Sequence, residues 1–192
     1  MDVLEAIRTR RTAGKFKPDV PPREVIEELL EAATWAPNHH LNEPWRFFVL
    51  AGDARLDFGA AMAEDLIGAM DRDGDRAHST IEAQRQKACR SPIVIVVASE
   101  PAHGPKIVQV ENVTAVASAV QNLLLAAHAH GLATKWSTGA PAFSDSVKAY
   151  FGLSPQHELV AFVYLGYPAE DRQPHRRVGH IEHARWMGWP DA

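Results

Sequence analysis

One stretch limits the folds open to this chain more than any other. Residues 113–130, VTAVASAVQNLLLAAHAH, contain no Lys, Arg, Asp or Glu. At helical spacing their Ala, Val and Leu side chains fall on nearly every face. A helix that is apolar all round is a buried helix. A chain of 192 residues that left such a face open would carry a larger apolar patch than monomers tolerate. The pattern therefore predicts that a second subunit covers part of this helix, and that Glu at Val120 or Leu124 breaks a dimer. Gly131 follows where helices favour glycine.

The remaining elements arrange themselves around that helix. Residues 2–11 read as a short amphipathic helix with Val3, Leu4 and Ile7 on one face. A basic connector leads to a helix over residues 22–35, opened by Pro21-Pro22 and striped by Val25, Ile26, Leu29, Leu30 and Ala33. Ala36-Pro37 stops it. WRFFVLA at 45–51, IVIVVA at 93–98, residues 134–138 and LVAFVYL at 159–165 read as strands. Residues 56–70 and 143–151 read as further helices. The charged segment 71–87 fits either an excursion or an exposed helix. Residues 166–192 form a polar tail. Strands mixed with helices predict a layered α/β or α+β fold in a single domain.

Charge and cysteine content narrow the function classes. The formal net charge is −4, without the basic excess of a general nucleic-acid binder. A single cysteine, Cys89, excludes an internal disulfide and a Cys-rich zinc module. No uninterrupted apolar run reaches the ~20 residues of a membrane span. The start MDVLEAIRTRR lacks the apolar core of a secretory signal, so a cytoplasmic location is expected.

Four clusters carry chemistry. Arg8, Arg10, Arg11, Thr12 and Lys15 offer guanidinium forks and a hydroxyl suited to a phosphate, or simply a solvated helix end. The loop Asn38, His39, His40, Asn42 between two prolines offers amide and imidazole groups to the edge of a planar heterocycle. Lys135-Trp136-Ser137-Thr138-Gly139 ends a strand in small residues that let backbone N–H groups approach a ligand. His175-Arg176-Arg177 supplies a late basic group.

The order of these motifs, with N-x-x-x-N-E-P-W-R-F after the first and L-G-Y-P (165–168) before the last, resembles the nitroreductase family of FMN-dependent oxidoreductases. The likeness runs from Arg10 to about Glu182. It implies an α+β three-layer sandwich, a mixed central sheet between helices, and an intertwined homodimer whose long central helices make the interface, with two FMN molecules in it, each touched by both subunits. It implies that Arg10 and Thr12 meet the phosphate and ribityl chain, with Arg11 between them and Arg176, or its neighbour Arg177, completing the phosphate site. Trp35, His39 and Asn38 are implied to reach the flavin of the other subunit. Trp136, Ser137, Thr138 and Gly139 are implied to lie against the isoalloxazine, a backbone N–H of the Thr138-Gly139 pair addressing N5. The implied activity is ping-pong transfer of hydride from NAD(P)H to nitroaromatics, quinones or similar flat acceptors. No side chain is needed as a nucleophile. Lys15 or Lys135 stands as the cation that tunes the flavin.

The chain departs from the common pattern at several positions. It has Gly14 where many members have a basic residue, Leu41 for Asn, Glu43 for Gln, Thr138 for Glu, and Arg177-Val178 for Leu-Pro. Three alternatives remain. One is a specialised flavoprotein of the same fold, of dehalogenase, flavin-fragmenting or dehydrogenase type. Another is a non-catalytic domain. The third is a metal site, for which ten histidines offer only the pair His180 and His183 at helical spacing and no clear third ligand.

Overall fold

The computed structural model describes residues 1–69, 75–171 and 177–189. Strands β1 (Trp45–Ala51), β2 (Ile93–Ser99), β3 (Ala133–Ser137) and β4 (Glu158–Gly166) form one sheet in the order β1-β2-β4-β3. Their ladders are antiparallel throughout. Among the described residues, parallel pairing enters only at an isolated bridge between Thr12 and Thr134, which lays the segment after the first helix along the β3 edge. Phe16 bridges Pro168 a little further on.

The central strands are buried on both faces because they alternate between two cores. Ile93, Ile95 and Val97 of β2 and Ala161, Val163 and Leu165 of β4 face one cluster; Val94, Val96, Ala98, Phe162 and Tyr164 face the other. The first cluster is completed by α2 (Arg23–Thr34) and α5 (Gln109–Ala129). The second is completed by α3 (Ala54–Ala69), through Phe58 and Met62, and by α6 (Asp145–Tyr150), through Val147. Helices on both sides of one sheet make the three-layer α+β sandwich expected from sequence.

Local signals account for most boundaries. The first helix, α1 (Val3–Thr9), is capped by Asp2, whose carboxylate accepts from the N–H groups of Leu4 and Glu5 at 2.9 and 3.2 Å. Ser144 caps α6 by accepting from Val147 N–H at 3.1 Å. The charged segment resolves into helix α4 (Asp75–Gln86) and a short 3-10 turn, Lys87–Arg90; residues 71–74 of that segment lie outside the described residues. Gly59 lets α4 lie close on α3, because a Cβ there would strike the Arg85 carbonyl. Residues 177–189 are exposed throughout, with one 3-10 turn at His180–Glu182.

Helix α5 differs from the sequence reading in two ways. It starts at Gln109, four residues before the apolar run: Val108 is extended, and its carbonyl accepts from the N–H groups of Glu111 and Asn112 at 2.9 and 3.3 Å. Its 21 residues are long and apolar enough to cross a membrane by length and composition, which the sequence reading had excluded, yet its inner face is the chain's own core. That inner face carries Ala115, Val116, Ala119, Val120, Leu123, Leu124 and Ala127. Val120 and Leu124 are therefore core residues and not interface residues, and the expectation that Glu there breaks a dimer is corrected. The outward stripe holds Val110, 63 % exposed, with Thr114, Ala117, Gln121 and Leu125. The apolar face of α1 is also uncovered: Val3, Leu4 and Ile7 are exposed and only Ala6 is buried.

Val120→Glu should abolish the cooperative thermal transition followed by circular dichroism. An unpaired buried charge costs several kcal/mol against a stability of about 5–15 kcal/mol. Val110→Glu, at a 63 % exposed position, should keep a cooperative transition.

Candidate functional site

Arg10 ends α1, its N–H donating to the Ala6 carbonyl at 3.0 Å. Beyond it the chain turns along β3, where Ala13 N–H donates to the Thr134 carbonyl at 2.9 Å and Thr12 stays exposed. The Arg10 guanidinium is held below the ordinary arginine value, first by burial, then by repulsion from Arg177 and Arg11. The tail therefore brings Arg177 into the field of Arg10, although 167 positions separate them in sequence. Arg176 lies outside the described residues. Among the described residues no carboxylate pairs with Arg10, so the half-buried positive charge is unneutralised. A phosphate suits such a place.

Arg11 turns elsewhere. Its Nη1 donates to the carbonyls of Arg8 and Arg10 at 2.6 and 2.8 Å, and its buried Nε has no partner. It lines a cavity of about 320 Å³ with Thr9, His128 and Asp171. Thr9 Oγ1 donates to the Glu5 carbonyl at 2.7 Å and meets His128 Nε2 at 2.8 Å. With the hydroxyl proton already used, His128 must donate from Nε2. The imidazole is held below the ordinary histidine value by burial first, then by Arg10 and Arg11; Glu5 pulls the other way.

The strand motif runs up β3 to its open end. Lys135 and Ser137 are half-buried on one face. Trp136, on the other, donates from Nε1 to the Val160 carbonyl at 3.2 Å. Thr138 is exposed, and Gly139 sits at φ +97°, ψ −165°, a region essentially reserved for glycine, with open space where a Cβ would be. Backbone N–H groups at this turn are approachable. Lys15 is ion-paired with Glu170 at 3.3 Å.

The loop motif stands apart. Trp35 is 80 % exposed, and the rings of His39 and His40 meet edge-on at 4.2 Å. His40, Leu41 and Glu43 all have positive φ, between 44° and 53°. For non-glycine residues that costs about 1–2 kcal/mol each, a strain that collects at functional sites. Asn38 spends its side chain inside the loop, Oδ1 accepting from Glu43 N–H at 2.9 Å. Pro37, Asn38 and His39 form an open cleft of about 290 Å³ with Glu111, Thr114 and Ser118 of α5. Glu111 Oε2 is buried there without a partner.

Sequence reasoning placed the arginines, the strand end and the loop on one ligand. Within one chain they are divided. The loop packs beside residues 111–118 of α5, whereas the Arg10 cluster faces His128 at its other end. At 1.5 Å per residue, Asn112 and His128 are about 24 Å apart along the helix. Sequence reasoning gave no site role to Asn112, Glu111 or His128: the first two precede the apolar run, and His128 stands near its end. Among the described residues no three His, Cys, Asp or Glu side chains converge as a metal site would require.

Comparison with known proteins gives consistent relatives. A family model described as Nitroreductase family matches residues 7–167. YdjA of Escherichia coli (strain K12), provisionally named an NAD(P)H nitroreductase, is 32 % identical over 168 residues, covering 88 % of this chain and 89 % of that protein. Among solved structures, a nitroreductase-like family protein from Bacillus cereus superposes with a TM-score of 0.81 at 23 % identity, covering 98 % of this chain and 97 % of that one. A provisionally assigned nitroreductase from Desulfovibrio desulfuricans, solved in complex with FMN, gives 0.75 at 27 % identity with 99 % of both chains covered.

The His128 environment yields a pH prediction. Its folded value lies below the ordinary 6.5, so the unfolded chain takes up the proton first. The contribution of neutral His128 to stability is complete above about pH 6.5 and is lost as pH falls from there through the folded value. The thermal midpoint of the wild type should therefore fall between about pH 7 and about pH 5. In His128→Gln, which keeps a donor towards Thr9, the fall should be smaller.

Proposed function

The chain belongs to the nitroreductase family, and from that premise we propose that it is a homodimeric FMN-dependent oxidoreductase. It takes reducing equivalents from NAD(P)H and delivers them to nitroaromatic, quinone or similarly flat electrophilic acceptors. The observation that carries this reading is the unneutralised, half-buried Arg10, crowded by Arg177 and Arg11 beside an exposed Thr12. Cations converge at a cost when nothing neutralises them, and a phosphate monoester returns that cost.

In this reading Arg10, Arg177 and the Thr12 hydroxyl hold the FMN phosphate and ribityl chain, with Arg176 as a further cation and Arg11 adding its field. Trp136, Ser137, Thr138 and Gly139 border the isoalloxazine, the backbone N–H of Thr138 or Gly139 meeting N5. Bound there, FMN supplies a two-electron carrier between a nicotinamide and an organic acceptor. The protein's work is to bind, orient and tune it. Because Glu170 neutralises Lys15, Lys135, on the same face of β3 as Ser137, is the cation we assign to tuning. The open strand end leaves one face for donor and acceptor in turn, which gives ping-pong kinetics. No side chain serves as a nucleophile.

The division of the motifs along α5 supports the dimer. Two copies related by a two-fold axis, with their outward α5 stripes in contact and antiparallel, would set the loop of one beside the arginines of the other. Trp35, Asn38 and His39 then reach the flavin of the second copy. The stripe of Val110, Ala117 and Leu125, with the uncovered face of α1, offers the apolar surface for that contact. We read residues 1–192 as one FMN-binding domain with residues 166–192 as an extended tail. The lone free thiol of Cys89 suits the reducing cytoplasm.

The purified protein should show a flavin absorbance spectrum that bleaches anaerobically with NADPH or NADH. A protein that stays colourless and takes up no added FMN would sink the proposal. Arg10→Ala should weaken FMN retention by about 1.5–3 kcal/mol, roughly ten- to a hundredfold in dissociation constant, seen as flavin lost on gel filtration. Val110→Glu should elute as a folded monomer with its flavin released.

A further inference from the structure

The loop over residues 38–43 holds three left-handed non-glycine residues, so something outside it must hold it there. Its exit is fixed by Glu100, whose N–H donates to the Pro44 carbonyl at 2.7 Å. The Glu100 carbonyl in turn accepts from Asn112 Nδ2 at 3.2 Å. Asn112 Oδ1 then accepts from Asn42 Nδ2 at 2.7 Å. Asn112 is 2 % exposed, and both polar atoms of its amide are used. The sequence Pro44–Glu100–Asn112–Asn42 is thus a closed circuit of hydrogen bonds running from the loop's exit, through the end of β2 and the first turn of α5, back into the loop. Asn42 lies between Leu41 and Glu43, both at positive φ. Its amide is where the loop reaches across to the helix.

We infer that Asn112, acting through Asn42, is a positioning residue that sets where His39 stands towards the flavin of the second copy. The inference rests on the dimeric flavin reading above. An Asn donor–acceptor pair suits the task because the circuit has a direction. Asn112 must donate to a carbonyl on one side and accept from Asn42 on the other, which a carboxylate or an aliphatic side chain cannot do. Asn112 is buried and Asn42 half-buried, so water competes less for their bond than for an exposed one. Strain in the loop then becomes a means of precision: the backbone stays in one arrangement while Asn42 holds it, and relaxes when released.

The test uses Asn42→Ala, with Asn112→Leu and the double variant beside it. Asn112→Leu deprives Asn42 Nδ2 of its acceptor and leaves the Glu100 carbonyl with Ser99 Oγ, at 3.1 Å, as its remaining donor; placed at a 2 % exposed position, it is the variant at risk of misfolding. Asn42→Ala removes a half-buried amide and keeps the fold. Amide hydrogen exchange over residues 38–43, measured on the apoprotein, should quicken about tenfold in Asn42→Ala. The FMN-loaded variant should retain flavin, yet show an altered visible circular dichroism of the flavin and a raised KM for a nitroaromatic acceptor. The double variant should be no worse than Asn112→Leu, because both changes break one circuit. Wild-type exchange in Asn42→Ala overturns the pin. Quickened exchange with unaltered flavin dichroism and KM overturns its functional role and leaves it structural. A wild-type protein that takes up no FMN overturns the parent reading instead, and the exchange experiment on apoprotein separates that failure from a failure of the pin.

Discussion

The structure depends on α5 having two apolar faces and only one core to put them in. The inner face, through Val116, Val120, Leu123 and Leu124, fills the space between α2 and the sheet. Burying one large aliphatic side chain stabilises by about 1.5–3 kcal/mol, and here several do so on a single helix. The sheet can be buried on both sides only because this face covers one of them. Among the described residues the outer face has no equivalent partner. What it meets decides whether the molecule functions alone or as a pair.

The same helix sets the geography of the proposed site. Because α5 is one rigid rod, the loop beside its first turns and the arginines beside its last cannot meet within one chain. Charge is distributed accordingly. Positive groups gather at the His128 end, where Arg177 and Arg11 repel Arg10, and where burial, then Arg10 and Arg11, hold His128 below the ordinary histidine value. Glu111, with a buried unpartnered oxygen, lies at the other end. An antiparallel pair of such helices places unlike ends together. The surface that would bury apolar area would also complete a cationic pocket with a loop of amides and imidazoles.

Much of this was legible in the residues. Apolar and aromatic runs marked β1, β2 and β4, and β3 was legible as a short strand before Gly139; β1 matches at both ends, β2 runs one residue further, β3 starts and ends one residue earlier, and β4 is longer by one residue at each end. Pro21-Pro22 and Ala36-Pro37 bracketed α2, and Gly139 marked the turn at the end of β3. The charged helix α4 was legible only as a charge pattern, because its packing rests on a small residue in a neighbouring helix, Gly59. The inward direction of Val120 and Leu124 was not legible. A helix apolar on all faces gives no phase, and only the positions of α2 and the sheet distinguish inside from outside.

By itself the sequence determined most of the helices and strands, that they layer as an α/β or α+β fold, and that a basic cluster, an amide-rich loop and a glycine-ended strand are its candidate chemical groups. These follow from periodicity, capping and side-chain chemistry, which are properties of neighbours along the chain. Tertiary structure decided which face of α5 is core, that Arg177 joins Arg10, that Arg11 turns away, and that Asn112 holds Asn42. These depend on distances between residues remote in sequence, set by how the layers pack. Local propensity carries no information about that packing.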